Sequence, residues 1–240
     1  MFTPVLFGNF VASAGTAAIN LDSPEAAYLV PRARDCVTFA VNDPRADITV
    51  DPDSIDQSEL GIRAAVIDNR KREVFPLILP MPGLHNLSNA LAAIAAASAA
   101  GIGVGHAAYA LRSFAGLARR YDVIGSSPSG ITVIDDFGHN PEKCAATLRT
   151  LRAHPGRVLA FFQPHGYGPL RQMGAELAET FARELDADDI ALISDPVYFG
   201  GTVDRSGGAQ RVVDLIMQQG GRAEHIASRE AIADRIAALA

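Results

Sequence analysis

Between residues 1 and 80 the apolar positions fall into short, closely spaced stretches: 17–21, 37–41, 46–50, 64–68 and 74–79. Their β-branched content predicts short strands, and Asp51-Pro-Asp-Ser and Asp68-Asn-Arg-Lys predict the turns between them. Residues 2–11 fit either a strand or a helix. The period then changes. Leu87, Leu91, Ile94 and Ala97 recur at helical spacing, with Asn86 as candidate cap and Gly101 as stop. A second helix is expected over 106–115, burying Leu111 and Phe114. From Tyr121 onward, stretches 121–124 and 131–135 flank Ser-Ser-Pro-Ser-Gly, which predicts a hairpin. Asn140-Pro141-Glu142 carries a cap, a proline and an acid in the order of a helix start, and that helix ends before His154-Pro-Gly. Strands at 158–162 and 190–194 then alternate with helices at 170–184, 209–219 and 229–239, with a short apolar segment at 223–226. This βαβα order predicts an α/β fold with a mostly parallel sheet covered on both faces. The domain boundary is placed between 118 and 119.

Composition narrows the class. The 240 residues are 48% hydrophobic and carry a net charge of −6, which fits a globular protein and argues against a nucleic-acid surface. No apolar run approaches the ~20 residues that span a bilayer, so no membrane partner is expected. Met1-Phe2-Thr3-Pro4 lacks a signal pattern, and a cytoplasmic location is the expectation. Cys36 and Cys144 share no metal-ligand spacing and read as reduced structural thiols. Lysine occurs only at 71 and 143. Neither sits in Gly-x-x-x-x-Gly-Lys followed by Ser or Thr, so the chain has no phosphate-cradling loop of that type.

Candidate chemistry gathers where an open α/β sheet binds ligands, beyond the carboxyl ends of strands. Asp135, Asp136 and His139 follow one strand, Gln163 and His165 a second, and Asp195 and Tyr198 a third. Adjacent residues on a strand face opposite ways. The Asp135-Asp136 pair is therefore read as one ligand group and one structural acceptor rather than as an acid–base dyad. His139 either lines the site or stabilises local backbone. His85, Asn86 and Asn89 stand at a helix start, where they either cap it or meet a base or an anion. Arg119-Arg120 either stacks on a ring, pairs with phosphate, or is a solvated pair. The loop Tyr198-Phe-Gly-Gly-Thr with Ser206-Gly207-Gly208 is glycine-rich but is no dinucleotide fingerprint.

Five segments in order resemble the Mur ligases: Asn20-Leu-Asp22, Pro82-Gly-Leu-His-Asn-Leu-Ser-Asn89, Phe114-Ala-Gly-Leu-Ala-Arg-Arg-Tyr121, Asp135-Asp-Phe-Gly-His-Asn-Pro141 and Phe162-Gln-Pro-His165. The likeness is greatest to the branch that joins L-alanine to UDP-N-acetylmuramate and the branch that recycles murein tripeptide. It implies that the chain is the C-terminal half of an ATP-dependent amide ligase: residues 1–118 part of a central ATPase-type domain, 119–240 a Rossmann-like domain. It further implies ATP and Mg2+ as cofactors of the full-length enzyme, with none tightly bound to this chain. The implied partners are a UDP-N-acetylmuramate-type nucleotide sugar and an amino acid or peptide. By this resemblance His85, Asn86 and Asn89 lie near adenine, Arg120 packs on the adenosine, Asp136 accepts from the ribose, and His139 and His165 line the amine-substrate side. The chain alone is expected to be inactive.

Two departures stand out. Gly166 and Pro169 occupy positions where the alanine-adding branch usually has arginines, and Asn140 stands where a second histidine is common. Two other functions fit the residues: a ligand-binding module without turnover, and a metal-dependent hydrolase using Asp135, Asp136, His139, His165 and Asp195.

Overall fold

Asp68 and Asp189 are the most buried acids of the chain, at 0% and 1% exposure, and each marks the core of a separate unit. The computed structural model describes residues 4–197, 204 and 208–240. It divides into units 1–116 and 117–240.

In the first unit, α1 (Pro4–Ser13) precedes β1 (Ala17–Asn20), α2 (Pro24–Ala27), β2 (Cys36–Phe39) and β3 (Ile48–Val50). β4 (Asp56–Ser58), β5 (Gly61–Asp68) and β6 (Glu73–Leu79) follow, then α3 (Leu84–Ala99) and α4 (Val104–Ala110). β1, β2 and β3 are parallel neighbours. β5 runs antiparallel to β3 and β4 and also to β6. The apolar faces of this mixed sheet meet Leu87, Leu91 and Ile94 of α3, all fully buried. Asp22 ties the ends of β1 and β2 together by accepting from Val41 N at 2.6 Å and Asn42 N at 3.0 Å.

The first eighty residues thus follow the alternation of the sequence, with β4 unforeseen because Asp56-Gln57-Ser58 is polar and fully exposed. The ambiguous start is helical. Two helix expectations are corrected. α3 begins at Leu84 after Gly83, whose φ of 99° suits glycine, so Asn86 lies inside the first turn and is not the cap. Its amide donates to Pro82 O at 2.7 Å. The next helix covers 104–110, not 106–115, and closes in a 3-10 turn; Phe114 is 38% exposed instead of buried. Gly101 does follow α3, with φ 88°.

The second unit opens with the hairpin β7 (Asp122–Ser126) and β8 (Thr132–Asp135). It continues through α5 (Pro141–Leu151), β9 (Leu159–Phe162), α6 (Tyr167–Glu184), β10 (Ile190–Ile193), α7 (Ala209–Gln218), β11 (Ala223–His225) and α8 (Arg229–Leu239). The parallel sheet has the order β11-β10-β9. Central β10 reads Ile-Ala-Leu-Ile and is buried on both faces. Ala191 and Ile193 pack with α5, α6 and α7, while Ile190 and Leu192 pack with Ile232 of α8. Helices therefore cover both faces, as the alternation required. α6 starts three residues earlier than its periodicity indicated, at the turn after Gly166. The expected hairpin is present: among the described residues β8 pairs only with β7, antiparallel. The glycine-rich loop lies at 198–207, of which only Asp204 is among the described residues.

Asp189 closes the turn between α6 and β10. Its carboxylate accepts from Val158 N at 2.6 Å, Asp186 N at 2.7 Å and Arg152 Nη2 at 2.9 Å. Burial works to raise its pKa, but the two backbone donors and the guanidinium outweigh burial and hold the carboxyl below its ordinary value. A depressed folded pKa contributes stability above the unfolded value of about 4 and loses it as pH falls through the folded value. Asp189→Asn removes one acceptor and the charge, so it is expected to destabilise the second unit by about 1–3 kcal/mol at pH 7. Urea denaturation at pH 7 and pH 3 checks this. The gap between wild type and variant should shrink at pH 3, and an unchanged gap would contradict a role for the charge.

Candidate functional site

Phe137 is the centre of the candidate site in the second unit. It lies between β8 and α5, in a loop whose backbone is fixed from several directions. Phe137 N donates to Arg119 O at 2.9 Å, and Asp136 Oδ2 accepts from Tyr121 N at 2.9 Å. Arg119 and Tyr121 both hold positive φ, 62° and 50°, an arrangement that side chains other than glycine adopt only when other contacts hold them there. Arg119 then reaches back: its guanidinium lies 4.6 Å from the Phe137 centroid, and Nε stands 3.6 Å from Asp135 Oδ2.

Two imidazoles meet the same ring. His139 lies 5.2 Å from Phe137 between centroids, and His165 meets it edge-on at 5.9 Å. Three segments widely separated in sequence, 119–121, 135–139 and the loop after β9, thus converge on one aromatic side chain. His139 Nδ1 is 3.1 Å from Phe137 O, and its Nε2 is 3.4 Å from Lys143 Nζ. A carbonyl and an ammonium ask for opposite roles, so the geometry selects the tautomer with the proton on Nδ1. Asn140 caps α5 by accepting from Lys143 N at 2.9 Å, which explains an asparagine there on structural grounds.

Each aspartate of the 135–136 pair has a protein partner. Asp135 faces Arg119, and Asp136 holds the Tyr121 amide. It is Arg119 that lies on a ring, while the Arg120 side chain is exposed. Asn89 is exposed on α3 and His85 is half-buried in the first turn of that helix. Gly83 caps α3 without a side-chain acceptor. His85, Asn86 and Asn89 belong to the first unit, and Arg120, Asp136, His139 and His165 to the second.

The ends of β9 and β10 meet as the strand-end argument expects. Gln163 donates to Asp195 O at 3.4 Å, and Asp195 Oδ1 is 2.8 Å from His225 Nε2. His225 was not identified from sequence: it ends a three-residue strand, too short for its alternation to show an inward face. Lys143 carries no sequence signal as a site residue, because it matches no phosphate loop. Tyr198 lies outside the described residues. A groove of about 680 Å³ beside α4, lined by Phe75, Ile78, Tyr109 and Arg112 among others, shares no residue with this set.

Burial pushes the Cys144 thiol up to about 12, with Asp136 adding to the shift, so it stays protonated and unreactive at neutral pH. Cys36 is likewise raised, by burial and by Asp47 and Asp35. Among the described residues no three His, Cys, Asp or Glu side chains converge to hold a metal ion. Asp135, Asp136 and Asp195 each turn to a different protein partner.

Residues 119–240 match the family model of the Mur ligase glutamate ligase domain, and residues 5–97 that of the Mur ligase middle domain. The chain belongs to the Mur ligase family. Among related Mur ligases, the UDP-N-acetylmuramate–L-alanine ligase of Agrobacterium fabrum is 37% identical over 234 residues, which cover 94% of this chain and 48% of that protein. This chain therefore spans about half the length of the curated relatives it matches. Among solved structures, the UDP-N-acetylmuramate-alanine ligase of Thermotoga maritima aligns with a TM-score of 0.72 at 24% identity, covering 94% of this chain and 46% of that one. A murein peptide ligase from Psychrobacter arcticus aligns at 0.63 with 24% identity, covering 97% and 48%. These show that the mixed α/β architecture is that of Mur ligases.

The Asp136–Tyr121 bond is open to a direct test. Asp136→Ala should raise the exchange rate of the Tyr121 amide roughly tenfold, about 1.4 kcal/mol of lost local protection. Asp136→Asn, which keeps an acceptor oxygen, should restore most of it. Amide hydrogen exchange by NMR reads both, and equal protection in Asp136→Ala and wild type would remove this anchor.

Proposed function

We propose that this Mur ligase chain supplies the adenosine side and the amine side of an ATP-dependent ligase of peptidoglycan synthesis. The reaction joins an amino acid or peptide to the carboxylate of a UDP-N-acetylmuramate-type nucleotide sugar. The observation that carries the proposal is the convergence of Arg119, His139 and His165 on Phe137 beyond the end of β9, in a chain matched by both family models.

In such a reaction ATP converts the carboxylate to an acyl phosphate, which the amine attacks through a tetrahedral intermediate. The residues of this chain would contribute mainly by position. His139 and His165, set by Phe137, form the wall that receives the amine. The exposed Arg120 packs on the adenosine, and Asp136 accepts from the ribose with the oxygen not committed to Tyr121. The α3 start, with His85 half-buried and Asn89 exposed, meets the adenine. Asn86 contributes by holding the Pro82–Gly83 turn as well as by any contact to the base. No phosphate-cradling loop is encoded in these 240 residues, so the phosphates gain little from this chain.

Equilibrium binding of Mg-ATP and adenosine to this chain tests the division. Both should bind at about millimolar or weaker, with ATP no better than adenosine. Arg120→Ala should weaken adenosine further, and the chain alone should release no phosphate when given ATP, UDP-N-acetylmuramate and L-alanine. Micromolar binding of ATP with weak adenosine binding would place a phosphate site within the chain and overturn the proposal.

A further inference from the structure

The Phe137 cluster holds two permanent cations, and they differ in how they are balanced. Arg119 lies against Asp135 and over the ring. Lys143 is half-buried, and its Nζ reaches His139 Nε2 at 3.4 Å in an exposed contact; no carboxylate pairs with it among the described residues. It also stands in the first turn of α5, where the peptide dipoles repel a cation and favour an acid. Glu142 occupies that turn too but is exposed. A lysine placed against the helix field is a local electrostatic conflict. Such conflicts persist where a ligand resolves them. An anionic oxygen docking at Nζ would do so.

We infer that Lys143 is a specificity-determining residue that binds the carboxylate of the amine-bearing substrate. The inference rests on the reading of His139 and His165 as the amine-side wall. Lys143 is joined to His139, and His139 and His165 share one ring. A free amino acid with its amine against the two imidazoles has an α-carboxylate attached directly to its nitrogen-bearing carbon. Lys143 is the nearest cation in sequence and contact to His139. It also provides a positive charge on a wall where Gly166 and Pro169 carry none. His139, with its proton on Nδ1 and its Nε2 accepting from Nζ, then serves to orient the ammonium.

The test uses the full chain and NMR of its histidine side chains. Glycine, L-alanine and L-serine are titrated in parallel with their three carboxamides, which keep the amine and lack the carboxylate, and with inorganic phosphate. At least one amino acid should shift the His139 and His165 resonances, and its amide should bind at least about fivefold more weakly, as expected for loss of a charge-assisted contact. Lys143→Gln should abolish that difference, and Lys143→Arg should keep it, with circular dichroism confirming that both variants are folded. An amino acid and its amide that bind alike, with Lys143→Gln indifferent, would overturn the role of Lys143 while leaving the amine-side reading intact. Phosphate shifting the same resonances at lower concentration than any amino acid would overturn the carboxylate assignment in favour of a phosphoryl group. If no ligand moves either histidine, the amine-side reading itself fails.

Discussion

The bond from Tyr121 N–H to the Asp136 carboxylate joins the start of the second unit to the turn that carries its candidate chemistry. It holds Tyr121 at positive φ and aligns the neighbouring Phe137 amide with Arg119 O. With the backbone fixed on both sides, the Phe137 ring has a defined place, and Arg119, His139 and His165 assemble on it. The site is thus built outward from main-chain hydrogen bonds to a shared aromatic surface. That order matters physically, because a ring can orient several weak polar contacts only if its own backbone is immobile.

The sheet supplies the second constraint. β10 is apolar on both faces, so helices must cover both sides, and polar residues are displaced to the strand ends. Gln163, Asp195 and His225 are found there, linked to one another. Asp189 and Arg152 link the opposite ends of these strands, where the carboxylate is buried and fully engaged. One end of the sheet is closed by saturated structural contacts, while the other carries partly exposed imidazole and carboxylate groups.

The first unit has a core of its own, with α3 buried against the parallel part of a mixed sheet. Asp68 shows how closed that core is: Arg70 grips both carboxylate oxygens and donates onward to Ser98, and although burial works to raise its pKa these contacts hold it low. Membership of the Mur ligase family covers both units, with the middle-domain model matching residues 5–97 and the glutamate ligase domain model matching residues 119–240.

The sequence by itself determined the α/β alternation, most strand positions and the Asn140 cap. These are local properties: the period of apolar positions and the donors and acceptors of a helix start act within a few residues. It misplaced the start of α3 because Asn86 has the chemistry of a cap, and only the turn at Gly83, with its positive φ, decides where the helix begins. It could not separate Asp135 from Asp136 or Arg119 from Arg120, because neighbours in sequence receive their partners from distant segments. His225 stayed unnoticed for the same reason, its partner Asp195 lying 30 residues away. Only the tertiary structure decided that an arginine and two histidines from three segments meet around Phe137, since that meeting depends on long-range packing that no local pattern encodes.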